Sequence, residues 1–306
     1  MTRPPLLVIA GATATGKTGL AIDVAERLTG EGIAAEVISA DSRQVYRGLD
    51  IGTAKVSAAD QRGIPHHGID LVEPDQPFTV ADFAAHADET LGAIAERGAL
   101  AILVGGTGLY LRAVARGLPV GELPSDPAVR ARLEAEFLAV GLEPLVERLR
   151  AVAPQRAAAM DTANPRRVVR ALEMATVAGG EPPVPDPRGY DGPVAWIGLE
   201  VEPETHREWI AGRANAQFDA GLIEEAKALR ERWDPALPAF SAIGYREAWA
   251  VLDGELTREA AIAEDIRRNQ AFAKRQRTWF RAEPDIDWLR DDPPAGALAA
   301  ARALAR

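Results

Sequence analysis

Leu6-Leu7-Val8-Ile9-Ala10-Gly11-Ala12-Thr13-Ala14-Thr15-Gly16-Lys17-Thr18 decides the fold. The first five residues are apolar without alternation, the pattern of a strand buried on both faces of a parallel sheet. Gly11 to Thr18 match the G-x-x-x-x-G-K-[ST] pattern of a phosphate-binding loop. Thr18 to Leu28 follow as an amphipathic helix that stops at Gly30. Strand, glycine loop and helix in that order let backbone N–H groups curl around phosphate oxygens at a helix N-terminus. Lys17 adds a point charge and the Thr18 hydroxyl a ligand for Mg²⁺. A phosphate-bearing ligand is the first inference.

Working outward, Glu36–Ala40 and Leu100–Val104 read as two more buried strands, with a helix over Thr79–Arg97 that starts on a Thr79/Asp82 capping box. Strands alternating with helices predict an α/β fold built on a parallel sheet flanked by helices. From Ala113 to Asp191 the pattern is helical only, with Asp126-Pro127 and Asn164-Pro165 as starts and Gly141 and Gly179-Gly180 as stops. We therefore expect an all-helical insertion at 113–191 within a core formed by 1–112 and 192–306. The proline-rich stretch Glu181–Pro187 reads as the exit linker, Val194–Val201 as a returning strand and Asp285–Leu289 as an edge strand. The alanine-rich tail from Asp291 carries little signal.

Composition narrows the chemistry. The 306 residues include no cysteine, which excludes disulfides, cysteine-ligated metals and thiol catalysis. The run Leu6–Ala10 is far short of the roughly 18 apolar residues of a membrane span, and it leads into a glycine loop with a lysine. A soluble, unexported, cytoplasmic protein is expected. With 35 basic against 45 acidic residues the net charge is −10, opposite to the usual sign of a nucleic-acid binder. Any nucleic-acid contact must rest on local patches. Ile266–Arg281 is one, with Arg267, Arg268, Lys274, Arg275, Arg277 and Arg281 and no acid; Arg166, Arg167 and Arg170 form another, and Arg130 begins the insertion. Such runs are either solvated faces or contacts to a phosphate backbone.

An acid that could serve the loop's ligand is missing from the end of the strand Leu100–Val104, which runs into Gly105-Gly106-Thr107-Gly108. It stands instead after Val37-Ile38-Ser39-Ala40, as Asp41, at the carboxyl end of a strand where ligands bind in open α/β sheets. There it is either a turn residue or a general base. His66-His67 are adjacent and point apart, so a structural or substrate-contact role fits better than a metal site.

Together with the phosphate loop, the blocks Asp41–Tyr46, Ile51–Lys55, Pro65–His67, Gly105–Tyr110, Asn164–Val168, Ala242–Arg246 and Ala273–Arg281 resemble, in order, the tRNA dimethylallyltransferases, also called tRNA isopentenyltransferases. The resemblance implies transfer of a dimethylallyl group from dimethylallyl diphosphate to N6 of adenine 37, beside the tRNA anticodon. It implies that the loop holds a prenyl diphosphate with Mg²⁺, and that Asp41, Lys17, Thr107 and Arg213 do the catalysis. It also places Asp41, Ser42, Arg43, Gln44, Thr107, Gly244, Tyr245 and Arg246 at the tRNA, with Arg130, Arg166, Arg167, Arg170, Lys274 and Arg275 on the anticodon stem-loop. Thr107 is otherwise a turn hydroxyl and Arg213 a solvated helix arginine. A monomer is expected. The alternatives are an adenylate isopentenyltransferase, acting on free nucleotide, a small-molecule kinase, and a nucleotide-binding switch without catalysis.

Overall fold

The computed structural model describes residues 3–182, 185–290 and 292–306. Pro183 and Val184 of the linker and Asp291 of the tail lie outside the described residues. The chain forms two compact units, Met1–Gly117 with Gly189–Arg306, and Leu118–Arg188.

In the larger unit the chain runs β1 (Leu6–Ala10), α1 (Lys17–Gly30), β2 (Ala35–Ser39), β3 (His66–His67), α2 (Val80–Glu96), β4 (Leu100–Gly105) and α3 (Gly108–Ala115). The smaller unit holds α4 (Pro127–Val140), α5 (Glu143–Val152), α6 (Pro154–Ala158) and α7 (Pro165–Ala178). The larger unit resumes with β5 (Val194–Leu199), α8 (Pro203–Asp219), α9 (Leu222–Arg232), α10 (Tyr245–Leu252), α11 (Arg258–Arg281), β6 (Asp287–Leu289) and α12 (Pro293–Leu304). The six strands pair in the order β3-β2-β4-β1-β5-β6, every pairing parallel. The α/β fold and the parallel sheet read from the sequence are thus present.

Alternation within β1 decides the layers. Leu7 and Ile9 join Val37, Ile102, Val104 and Ile197 beneath α1 and α12, whereas Leu6, Val8 and Ala10 face Phe83, Leu91, Ile94, Tyr110 and Phe280 on the other side. Both faces being covered is why these strands are apolar throughout. A third cluster, built around Val45, Leu49, Phe218, Leu222, Tyr245 and Trp249, binds α8 to α11 into a helical layer. The tail is a departure from the sequence reading. Its alanines form α12, which caps itself through Asp292 and buries Ala297, Leu298 and Ala301 against the sheet layer. Small side chains give little apolar contrast, so the stripe was invisible by pattern.

His66 and His67 form an edge strand, and His67 Nε2 lies 2.7 Å from Glu36 Oε2, whose carboxylate also accepts from Arg97. The contacts both make are internal, His66 Nδ1 lying 2.8 Å from Ile64 O. Trp279 and Phe280 divide as well, with Phe280 buried under the sheet and Trp279 stacked beneath the Arg112 guanidinium.

The smaller unit is narrower than the 113–191 read from the sequence, because α3 continues to Ala115 and Gly189 N donates to Arg116 O within the larger unit. Its helices begin on the expected caps, Asp126 accepting from Ala128 N and Val129 N and Asn164 from Arg167 N. Val129, Leu133, Leu145, Leu149, Val168 and Leu172 form its core. Glu173 is completely buried beside that core. It accepts from Asp126 N at 2.9 Å, from Arg130 Nε at 2.8 Å and from Ser125 Oγ at 3.1 Å, and Arg170 Nη1 lies 2.8 Å away. Arg130 and Arg170, read from the sequence as tRNA contacts, are therefore turned onto an internal carboxylate. Arg166 and Arg167 are exposed and form no ion pair among the described residues.

Burial alone would raise the Glu173 pKa, but Arg130, Arg170 and the Asp126 N–H outweigh it and hold the carboxyl at about 2. Its folded pKa lies below the ordinary 4.5, so its contribution to stability is present above about pH 4.5 and is lost as pH falls toward 2. Glu173→Gln should destabilise the smaller unit by about 3 kcal/mol at pH 7, because two arginines lose their buried counter-charge. Hydrogen exchange across Leu118–Arg188 measures it; the difference from wild type should shrink progressively below pH 4.5.

Candidate active site

The carboxyl ends of β1, β2 and β4 meet because β4 lies between the other two in the sheet. The approach is close enough to dictate glycine at Gly105, where a Cβ would run into the backbone at Ala40 O, while at Gly106 a Cβ would displace the Gln276 amide. Thr107 N then donates to Ala40 O at 3.2 Å, and Ser42 N donates to Thr107 Oγ1 at 3.1 Å. Asp41 and Thr107, 66 positions apart in the chain, are thereby fixed at one corner. The turn reading of Asp41 is present locally, Oδ1 accepting from Arg43 N at 2.8 Å, while Oδ2 has no partner among the described residues and is left open. A carboxylate pinned by one oxygen presents the other at a defined place.

Between this corner and the phosphate loop lies a cavity of about 310 Å³ lined by Thr13 to Gly19, Asp41, Gln44, Gly105, Gly106, Arg213 and Gln276. Lys17 is buried there, its Nζ donating to Ala12 O. Arg213 reaches in from α8, donating through Nη1 to Thr13 Oγ1 at 2.8 Å, and its Nε is buried without a partner. Neither cation has a carboxylate within ion-pair distance among the described residues. Burial and then the Arg213 charge push the Lys17 ammonium down to about 7, with Asp41 acting in the opposite direction. Burial likewise lowers the Arg213 pKa, opposed by Asp41 and Asp265. Two desolvated cations without counter-ions in a concave polar site form a receptor for a multiply charged anion.

The remaining sequence-predicted residues sort by geometry. Gln44 is buried and committed, accepting from Ser39 Oγ at 2.8 Å and donating to Thr53 O at 3.1 Å. Arg43 donates to Pro238 O. Tyr245 is fully buried with its hydroxyl donating to Glu225 Oε1, so its side chain, read from the sequence as a tRNA contact, is a packing element. Gly244 caps α10 and donates to Glu247 Oε2. Arg246, Lys274 and Arg275 are exposed and free of ion pairs among the described residues. The run on α11 is not acid-free in space: Arg267 pairs with Glu264 and Arg268 with the buried Glu247.

Several site residues escaped the sequence reading. Gln276, hidden among charges, accepts from Thr13 N at 2.8 Å and donates to Gly106 O at 2.9 Å, clamping two loops. Glu225 accepts from Ile51 N and Gly52 N, and Gln217 donates to Ile51 O, which holds the Thr53–Ala54 wall of the cavity. Trp209 and Phe272 line the same cavity and are 46% and 37% exposed. Trp209 lies one turn before Arg213 and Phe272 one turn before Gln276, a spacing that could have marked them.

A family model for IPP transferases matches residues 44–283. The tRNA dimethylallyltransferase of Anaeromyxobacter sp. is 45% identical over 96% of this chain and 95% of its own length, and that of Nocardioides sp. is 42% identical over 95% and 93%. The chain belongs to the IPP transferase family. Among solved structures, a tRNA isopentenylpyrophosphate transferase from Bacillus halodurans is similar with a TM-score of 0.71 at 38% identity, covering 99% of this chain and 96% of that one. The family member described here is accordingly a prenyltransferase.

Arg213→Met tests the cationic cavity. Removing a desolvated charge while keeping bulk should raise the melting temperature of the free protein by about 2–4 °C, the effect of roughly 1 kcal/mol. Inorganic pyrophosphate at 100 times its Kd should stabilise wild type by about 2.7 kcal/mol and the variant hardly at all. Thermal unfolding with and without pyrophosphate gives both values.

Proposed function

We propose that this prenyltransferase moves the dimethylallyl group of dimethylallyl diphosphate to N6 of adenine 37 in the anticodon loop of tRNA. The observation that carries the reading is the open Asp41 oxygen in the same cavity as the buried Lys17 and the half-buried Arg213, neither of them paired with a carboxylate among the described residues. A diphosphate fits the cations, and an amine nucleophile that must lose a proton fits the carboxylate. In the reaction the bond between the allylic carbon and the diphosphate oxygen breaks with its electron pair going to oxygen. A bond from N6 to that carbon forms, and the N6 proton passes to Asp41 Oδ2. Charge grows on the leaving diphosphate as the carbon loosens, so Lys17, Arg213 and the loop amides stabilise the transition state more than the ground state. Thr107 and Ser42 hold the corner where the base enters. Adenine N6 is inaccessible in a stacked loop, so the base is extruded into the site.

Mg²⁺ suits the donor set. Mg²⁺ is held by one or two protein oxygens, with diphosphate oxygens and water completing its shell, and among the described residues no three His, Asp or Glu side chains converge. Thr18, lining the cavity, would hold the ion, which would supply further neutralisation of the leaving group. Exposed Arg166 and Arg167 on the smaller unit and Lys274, Arg275 and Arg246 on the larger one are proposed as contacts to tRNA phosphates. Action as a monomer is part of the proposal. No described helix is long and apolar enough to cross a membrane, and a tRNA substrate supports a cytoplasmic setting.

The deciding assay supplies radiolabelled dimethylallyl diphosphate and Mg²⁺ with unmodified tRNA or with AMP. Label should enter tRNA alone, whereas label in AMP would make the enzyme an adenylate isopentenyltransferase. Asp41→Asn should bind both substrates and lose about 10²–10⁴-fold in the single-turnover rate; a near wild-type rate would remove Asp41 as the base. Neutralising Arg166, Arg167 or Lys274 should each lower the log–log salt slope of tRNA binding by about one unit, measured by filter binding. Affinity for pyrophosphate should stay unchanged.

A further inference from the structure

Every polar group of Thr13 is held by helices remote from the phosphate loop. Its N–H donates to Gln276, its hydroxyl accepts from Arg213, and its carbonyl lies 2.8 Å from His206 Nε2. A carbonyl only accepts, so Nε2 carries a proton. Arg277 Nη1 lies 2.9 Å from that Nδ1, and a guanidinium only donates. Nδ1 must then be bare to accept, and the two contacts together demand the neutral Nε2–H tautomer of a side chain that is 1% exposed. Burial, followed by the Arg277 and Lys17 charges, holds the imidazole below its ordinary pKa despite the bond to Thr13, in keeping with that state.

The consequence falls on the next residue. In a planar trans peptide the carbonyl of Thr13 and the N–H of Ala14 point in opposite directions. Fixing the carbonyl toward α8 aims the Ala14 N–H the other way. Ala14 lines the cavity, and its N–H has no acceptor among the described residues. Ala14 also has a φ of 59°, a left-handed conformation unfavourable for a residue with a Cβ. Relaxation of that residue would rotate the peptide and could replace a donor facing the anion with a carbonyl dipole.

We propose that His206, oriented by Arg277, is a positioning residue that locks the Thr13–Ala14 peptide so that the Ala14 N–H faces the diphosphate. This rests on the diphosphate reading of the cavity. Arg277 thus serves the loop from a helix whose neighbouring cations are exposed, and its guanidinium is committed inward.

Titration calorimetry with inorganic pyrophosphate, in the absence of tRNA, tests the role. His206→Leu keeps the bulk and loses both hydrogen bonds, and it should bind pyrophosphate about tenfold more weakly. His206→Gln restores a donor to the carbonyl and should stay within about threefold of wild type. Arg277→Lys keeps the charge but shortens the reach, and should cost about threefold. A merely structural histidine would change the melting temperature of the Leu and Gln variants without separating their affinities. Wild-type affinity in His206→Leu, or equal losses in Leu and Gln, overturns the positioning role. Should His206→Leu fail to fold, Arg277→Lys decides, and unchanged affinity there overturns it equally. A wild-type protein that binds no pyrophosphate instead overturns the diphosphate reading and the inference that rests on it.

Discussion

Keeping two cations out of water without counter-ions is the constraint on which the rest of the larger unit depends. An ammonium and a guanidinium with no carboxylate in contact carry a desolvation penalty of several kcal/mol each. The fold offsets part of it with neutral acceptors: Ala12 O for Lys17, and Thr13 Oγ1 for Arg213. Supplying an internal carboxylate would stabilise the free protein and fill the site that the anion needs. The structure contains that alternative elsewhere, in Glu173 of the smaller unit, which pairs with both Arg130 and Arg170. The contrast is between an arginine left without a counter-ion in the cavity and arginines paired to hold a fold.

Rigidity follows from the same constraint. Neutral dipoles compensate buried charge only if they cannot turn away. Hence α8 and α11 are pinned to the loop by Arg213, His206 and Gln276, and Glu225 and Gln217 pin the opposite wall. Gly105 and Gly106 belong to this scheme as well, since their missing side chains let β2, β4 and α11 approach closely enough for the bonds to form.

What the sequence disclosed follows from locality. The phosphate loop, the helix caps at Thr79, Asp126 and Asn164, and the buried strands are determined within a few residues, so they were legible. Asp41 was legible as a strand-end acid, but the division of its two oxygens between turn and cavity required the fold. Gln276, His206, Gln217 and Glu225 bind backbone groups 165 to 263 positions away, and nothing in their own neighbourhoods distinguishes them from surface residues. The edges of the smaller unit differ from those read from the sequence by a few residues, because α3 is itself helical and resembles the insertion in pattern while packing in the larger unit. The run at Ile266–Arg281 misled in a different way, since a helix turns successive charges toward different surroundings, and Glu247 and Glu264 meet two of them.

That last point resolves the tension between a net charge of −10 and a polyanionic substrate. At physiological ionic strength charges are screened over about 8 Å. A tRNA phosphate therefore responds to cations within a few side-chain lengths and hardly at all to acids on distant faces. The relevant quantity is the set of exposed cations left over after internal pairing. On α11 that set includes Lys274 and Arg275, and on α7 it is Arg166 and Arg167, because their neighbours are consumed by Glu264, Glu247, His206 and Glu173. A globally negative chain can therefore meet a polyanion wherever exposed cations are left without an internal partner, and net charge alone does not oppose that contact.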